Sequence, residues 1–166
     1  KKINMIIGTG GLLSHTPRRQ QAALILIDAF QAEGVVRLTV DSAFMMPHLG
    51  VLSTVHPRAA LDVLEKDCLV RLGTAVVFSG TSEKDKIIGQ VQLKTESETY
   101  SLDVKYGELY CISIGLNIKA NLQAKPESDF DVGAGKGKTV TATLDGGVVG
   151  VIIDGRGRPV TLPEES

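Results

Sequence analysis

The sequence is poor in aromatic residues and has no excess of either charge. Only 4% of its 166 residues are aromatic, Trp is absent, and 18 basic residues face 19 acidic ones for a net charge of −1. Surfaces that stack bases need exposed aromatic rings. Nucleic-acid-binding proteins also carry a basic excess or a basic stripe. We therefore expect aliphatic side chains to fill the core, and we expect no nucleic-acid partner.

Long hydrophobic runs are missing as well. No apolar stretch approaches the roughly 20 residues that span a bilayer. The short apolar run after Lys1 and Lys2 leads into a glycine-rich turn, where a signal peptide would have a cleavage site. These features predict a cytoplasmic chain with no membrane partner. Because the sequence lacks an initiator Met and starts just before an apolar strand, we also expect it to be part of a longer protein.

Cysteine and histidine are scarce and widely spaced. Cys68 and Cys111 are the two cysteines, and the three histidines are His15, His48 and His56. None of them shows metal-ligand spacing, and no Ser-His-Asp or Cys-His arrangement is recognisable. We predict buried free thiols, with a disulfide as the alternative, and neither a metal site nor a catalytic residue.

The apolar residues divide the chain into two parts of different periodicity. Residues 1–74 have an α/β pattern, with strands at 3–7 and 35–40 and helical spacing up to about residue 33 and again at 58–68. From residue 75 to residue 166, apolar and polar residues alternate with period two between frequent turns. This β-rich part is expected to form an antiparallel barrel or sandwich, so the predicted fold class is α+β. Its candidate strands are residues 86–94, 99–104, 109–113, 119–125, 138–144 and 148–153.

A glycine-rich turn follows the first apolar strand. Gly8, Thr9, Gly10 and Gly11 lie between this strand and the first helix. Glycines at such a position let the backbone approach a ligand closely and direct free N–H groups outward. The spacing does not fit the dinucleotide fingerprint G-x-G-x-x-G, because position 13 is Leu. From the residues alone, a ligand-binding turn and a purely structural turn remain equally good interpretations.

Two basic segments lie in the β-rich part. The stretch GAGKGKT at residues 133–139, with Lys136 and Lys138, resembles a phosphate-binding loop but has Val132 where that motif needs Gly. It also leads into a strand pattern, so an exposed basic loop is the favoured interpretation. Arg156 and Arg158 follow the last strand and are either solvated turn residues or contacts to a partner's phosphates or carboxylates. Asp145-Gly146-Gly147, before that strand, predicts a hairpin turn.

Five stretches occur together in an order that is fairly specific, from near residue 6 to near residue 163. They are IIGTGGLLSHTPRRQ, DSAFMMPHLGVLS, DCLVRLGT, DVGAGKGK and GGVVGVIIDGRGRP. With these stretches the chain resembles the MutL/GlmL family, the accessory proteins of glutamate mutase and related adenosylcobalamin-dependent enzymes. The mismatch-repair protein of similar name is unrelated.

The resemblance implies an ATPase lobe of the actin, sugar kinase and heat-shock chaperone class. Gly8, Thr9, Gly10 and Gly11 stand where that class packs a Gly-Gly turn against the adenosine of ATP. The opposite lobe, which handles the phosphates and Mg²⁺, has no counterpart in this sequence. We therefore expect ATP or ADP with Mg²⁺ in the full-length protein, and a C-terminal part that is inactive alone and binds nucleotide weakly or not at all by itself, because half a cleft lacks preorganisation.

The resemblance also implies partners. They are the subunits of an adenosylcobalamin-dependent mutase and the remaining N-terminal lobe of the same protein. The β-rich part, with Lys136, Lys138, Arg156 and Arg158, is the candidate surface that meets the mutase. Two alternatives stay open: a β-rich binding or assembly module that uses no nucleotide, and a hydrolase or kinase completed by a missing lobe.

Overall fold

A computed structural model describes residues 3–160 of the chain. Its first part contains β1 (Met5–Gly8), α1 (Gly11–Ser14), α2 (Arg19–Ala29), β2 (Gly34–Asp41), α3 (Met46–Leu52), α4 (Pro57–Val63) and a π-helical turn (Leu64–Cys68). The rest is built from strands β3 (Leu69–Val77), β4 (Ile87–Lys94), β5 (Thr99–Lys105), β6 (Leu109–Ile112), β7 (Lys119–Pro126), β8 (Val140–Asp145) and β9 (Gly150–Asp154). The expected mixture of helices and strands is confirmed, and strand predominates over helix.

The first sheet joins strands from both parts of the chain. Its strand order is β1-β2-β3-β9-β6. The pairs β1–β2 and β3–β9 are parallel, whereas β2–β3 and β9–β6 are antiparallel. Residue 74, where the sequence predicts a domain boundary, lies inside β3 and pairs with Arg37 on one side and Val151 on the other. The boundary between 1–74 and 75–166 would therefore fall within a central strand, and this division stays a prediction.

The second sheet packs against one face of the first. It is antiparallel throughout, with strand order β5-β4-β7-β8. Val76 and Ile153 of the first sheet share a buried core with Val91, Leu93 and Leu122 of the second. Alternate residues of each strand point into this core, as the period-two pattern requires. Of the two expected β architectures, the described residues form two sheets and no closed barrel.

Helix α2 covers the other face of the first sheet. Ala22, Ala23, Leu26 and Ile27 recur at helical spacing and are almost completely buried. They form a second core with apolar residues of the sheet, among them Leu38. The centre of the first sheet is thus covered on both faces, which makes it the rigid layer that positions its loops. Within residues 3–160, no helix has both the length and the apolar character needed to cross a membrane.

The expected hairpin turn at Asp145-Gly146-Gly147 is wrong. Strands β8 and β9 lie in different sheets, so this segment carries the chain from one sheet to the other. A Cβ on Gly146 would lie 2.2 Å from the carbonyl oxygen of Gly115, and one on Gly147 would lie 2.3 Å from that of Leu72. Glycine is required here for close backbone approach rather than for a turn with positive φ.

Three further expectations need correction. Strand β3 was not among the candidate strands, because its burial on both faces removes the period-two alternation. Helix α3 occupies a stretch in which Pro47 and Gly50 would favour loops or short turns on residue type alone. Both cysteines are free, as predicted, but Cys68 is buried whereas Cys111 is exposed. Burial raises the pKa of the Cys68 thiol, and the carboxylates of Asp41 and Asp67 raise it further.

Candidate functional site

The glycine-rich turn lies where two parallel strands end side by side. Gly8 is the last residue of β1 and pairs with Val40, the penultimate residue of β2. Asp41 ends β2 and therefore lies next to the turn. In open sheets, ligands bind in the crevice outside the carboxyl ends of parallel strands. The fold thus places Gly8, Thr9, Gly10 and Gly11 together at an edge that suits a ligand.

The glycines of this turn have different local roles. A Cβ on Gly8 would lie 2.7 Å from Leu13 Cδ1 and 2.9 Å from Leu26 Cδ2, so Gly8 lets the helices pack closely on β1. Gly10 has φ +107°, a conformation that side chains with a Cβ rarely adopt. A Cβ on Gly10 or Gly11 would meet no atom of the described residues within 4 Å. The space beside Gly10 and Gly11 is therefore open to a ligand.

Asp41 holds the turn and the following loop in place. Its side chain is completely buried, and its two carboxylate oxygens accept hydrogen bonds from the N–H groups of Met45 at 3.3 Å and Met46 at 3.0 Å. The Thr9 hydroxyl donates to the same carboxylate over 3.4 Å. The buried Ser14 hydroxyl donates to the Asp41 carbonyl oxygen over 2.7 Å. One residue therefore ties together the end of β1, helix α1 and the start of α3.

Neither Asp41 nor Ser14 is among the site residues that the sequence predicts. The available signal was the position of Asp41 directly after the apolar strand 35–40, since that strand would run parallel to the one before the glycine turn.

The N–H of Gly10 has no hydrogen-bond partner among residues 3–160, so it remains available to a ligand. Across the same residues, no group of three or more His, Cys, Asp or Glu side chains is placed to hold a metal ion.

Comparison with known proteins identifies the segment that carries this turn. Residues 1–68 match the family model described as MutL protein. The family resemblance is therefore confirmed for the first part of the chain, including the turn, Asp41 and helices α1 to α4. The stretches DVGAGKGK and GGVVGVIIDGRGRP lie outside the matched residues. No curated protein and no solved structure gives a significant match to the chain.

The basic loop with Lys136 and Lys138 lies beyond the MutL segment. The Asp131 carboxylate accepts hydrogen bonds from the N–H groups of Gly133 at 2.6 Å and Gly135 at 2.9 Å, which folds the loop into a tight turn. Both lysines are exposed. The loop continues into strand β8 instead of a helix, which agrees with the rejection of a phosphate-binding loop.

Arg156 and Arg158, also outside the MutL segment, are engaged within the protein. Arg156 donates to Asp154 at 2.9 and 3.0 Å and to Asp28 at 2.6 and 3.3 Å. Arg158 donates to Asp154 at 2.9 Å and to the carbonyl oxygen of Ala32 at 2.8 Å. The Asp154 side chain is completely buried, and that of Arg158 is only 4% exposed. The interpretation as solvated turn residues is therefore wrong for Arg158.

The two sets of predicted site residues lie at opposite ends of β2. Ala32, which accepts from Arg158, is two residues before β2 begins. A Cβ on Gly34, the first residue of β2, would lie 3.1 Å from the Cα of Gly133 in the basic loop. Since β2 has eight residues, it separates this end from the glycine turn by roughly 23 Å. The structure therefore brings the basic loop and the arginines to one end and the glycine turn to the other.

Proposed function

We propose that this chain is the C-terminal part of an ATP-dependent accessory protein that maintains an adenosylcobalamin-dependent mutase of the glutamate mutase type in the cytoplasm. The observation that carries the proposal is the open turn at Gly10 and Gly11, inside the segment that matches the MutL family. That turn lies at the carboxyl end of a parallel strand, where nucleotides bind in α/β sheets.

The residues of the turn suit the adenosine of ATP or ADP. Without Cβ atoms, Gly10 and Gly11 let a flat purine approach the backbone, and the N–H of Gly10, which has no partner among residues 3–160, can donate to it. Gly8 and Asp41 have a positioning role, because they hold the turn against α2 and the start of α3. Mg²⁺ and the phosphates belong to the remaining N-terminal lobe of the same protein in this proposal. ATP bound between the two lobes would change their relation by a hinge motion.

The opposite end of β2 is the proposed contact with the mutase subunits. Lys136 and Lys138 project from an exposed loop that Asp131 keeps folded, and they are the residues that meet the partner. Arg156 and Arg158 support this end by joining the last strand to α2 through Asp154, Asp28 and the carbonyl oxygen of Ala32. Unchanged mutase association after replacement of both lysines by Gln would contradict this assignment.

The nucleotide site is tested by thermal unfolding of the chain with ADP or ATP at about 10 mM and Mg²⁺. Ligand at about ten times its dissociation constant stabilises the fold by roughly 1.4 kcal/mol, which raises Tm by a few degrees. The informative variant is Gly11→Leu, because residue 11 lies in a helix and beside open space. Leu there fills the ligand's space without requiring positive φ.

The matched control is Gly50→Leu. Gly50 also lies in a short helix, and a Cβ there would meet no atom within 4 Å. We expect nucleotide protection in the unmodified chain and in Gly50→Leu, but not in Gly11→Leu. Equal protection in both variants would mean that the nucleotide binds elsewhere than at the turn. Absence of protection in every protein would favour the alternative function, a β-rich assembly module that uses no nucleotide.

A further inference from the structure

A cavity of about 420 Å³ lies on the face of the first sheet that α2 does not cover. The second sheet covers this face at β3, β6 and β9, through residues such as Val76, Ile112 and Ile153. At β1, β2 and the start of β3, the cavity lies between the sheet and the segment of α4 and the π-helical turn. Its size is within the range of sites for small molecules.

Two arginines whose side chains have no partner among residues 3–160 line this cavity. Arg37 on β2 and Arg71 on β3 are diagonal neighbours, since Arg37 pairs with Thr74 and Thr39 pairs with Arg71. Both residues are exposed, and neither guanidinium group makes a hydrogen bond or an ion pair with any residue in the described range 3–160. Like charges on neighbouring strands are unfavourable in themselves. An anion bound between them would remove this repulsion.

The rest of the lining defines the shape of a ligand. Met5 and Ile7 of β1 and Leu61 and Leu64 of the helical segment give the cavity apolar walls. Side chains of this kind favour a ligand with an apolar body. The planar, fixed donors of arginine match a carboxylate or a phosphate, to which they bind in a bidentate manner. Apolar walls next to the guanidinium groups of Arg37 and Arg71 therefore point to an organic anion.

Two carboxylates also line the cavity. Glu65 lies in the π-helical turn and Asp145 at the end of β8. Neither forms an ion pair with Arg37 or Arg71, since every ion pair within the described residues involves Arg156 or Arg158. Their charges oppose a highly charged ligand. The cavity is thus suited to an anionic head group of low charge on an apolar body.

We infer that this cavity is a binding site for a small organic anion, distinct from the glycine turn, in which Arg37 and Arg71 hold a carboxylate or phosphate head group and the apolar walls enclose its body. The site does not depend on nucleotide binding at Gly8–Gly11. It gives the chain a second ligand, bound on the face of β1 that carries the side chains of Met5 and Ile7.

The test is a titration of the isotope-labelled chain with phenyl phosphate, benzoate and inorganic phosphate at constant ionic strength, followed by amide chemical shifts. Phenyl phosphate or benzoate should bind more tightly than inorganic phosphate, because only the organic anions contact the walls. Whichever of the two binds more tightly identifies the head group. Arg37→Gln and Arg71→Gln should each weaken binding about tenfold or more, since each removes a charged hydrogen bond.

Matched controls separate this site from other effects. Arg18→Gln removes an exposed arginine that does not line the cavity and should leave the dissociation constant within about twofold. Glu65→Gln should strengthen binding about twofold, because it removes an opposing charge. Gly11→Leu should leave binding unchanged, which distinguishes this site from the nucleotide turn. Equal effects of all three arginine variants, or no saturable shift with any anion, would overturn the inference.

Discussion

The hydroxyl of Thr9 donates a hydrogen bond to the buried carboxylate of Asp41 over 3.4 Å. This contact joins the glycine turn after β1 to the end of β2. Because the same carboxylate also accepts from the N–H groups of Met45 and Met46, the turn and the start of α3 are held as one unit. The shape of the proposed nucleotide site therefore depends on a residue that does not itself face the open space.

Replacing Asp41 tests this dependence. Asp41→Asn keeps the shape of the side chain but has a single acceptor oxygen, whereas the N–H groups of Met45 and Met46 bond to two different carboxylate oxygens. We therefore expect a loss of about 1–3 kcal/mol in the free energy of unfolding. Urea denaturation measures this loss. Asp62→Asn, at an exposed position of α4, should change the free energy by less than about 0.5 kcal/mol. An equally small effect for Asp41→Asn would show that its hydrogen bonds do not hold the turn.

The buried arginine at the opposite end of β2 should matter for stability. Arg158→Met removes the charge that pairs with Asp154 and the donor to the Ala32 carbonyl oxygen. Breaking a buried ion pair from one side costs roughly 3 kcal/mol or more. Denaturant unfolding should therefore show a large loss, whereas Lys136→Met, in the exposed loop, should lie within about 0.5 kcal/mol of the unmodified chain. Similar stabilities of the two variants would contradict a structural role for Arg158.

Asp154 should contribute to the pH dependence of folding. Burial raises the pKa of its carboxyl, but the hydrogen bonds from Arg156 and the charges of Arg158 and Arg156 together outweigh burial and lower the pKa below its ordinary value. A carboxyl with a lowered pKa contributes stability that is fully present above its unfolded pKa of about 3.9. That stability is lost as the pH falls through the lower folded pKa.

Two measurements check this expectation. The carboxyl carbon of Asp154, followed by NMR, should titrate below the unfolded pKa. Asp154→Asn should lose less stability than the unmodified chain when the pH is lowered from 5 through this range, which urea midpoints would show. A carboxyl that titrates above pH 4 would mean that burial outweighs the two arginines.

The parallel pairing of β3 with β9, in which Gly73 lies opposite Gly150, should tolerate no side chain at Gly73. This residue has φ +146°, and a Cβ on it would lie 1.8 Å from the carbonyl oxygen of Gly150. Gly73→Ala should therefore destabilise the fold by more than about 4 kcal/mol, through strain and displacement of the backbone. In contrast, Gly50→Ala in α3 has open space and a helical position, so it should stabilise by up to about 1 kcal/mol. Thermal unfolding compares the two directly.

Local pattern was sufficient for much of this fold. Strands β4, β5 and β7 are each exposed on one face, so period-two alternation marks them in the sequence. Strand β3 has no such signal, because Ala75, Val76 and Val77 are buried on alternating faces of a sheet that is covered on both sides. Its pairing with β9, far along the chain, depends on tertiary contacts that no local pattern encodes.

The site was predictable only in part. Gly10 and Gly11 stand out in the sequence as glycines between a strand and a helix, although only Gly10 has the positive φ that favours glycine. The support from Asp41 depends on the parallel pairing of β1 with β2, and the burial of Arg158 depends on contact with Ala32, which is 126 positions away. Residue type alone favours solvent exposure for Arg. Long-range contacts reverse that expectation here.

The most direct test of the central claim is an amide chemical-shift titration of the labelled chain with ADP and Mg²⁺. If adenosine packs on the glycine turn, the largest shifts should fall in residues 8–14 and 41–46, saturate at millimolar ADP, and disappear in Gly11→Leu while persisting in Gly50→Leu. Largest shifts at Arg37 and Arg71, or a saturable response that Gly11→Leu leaves unchanged, would contradict a nucleotide site at this turn.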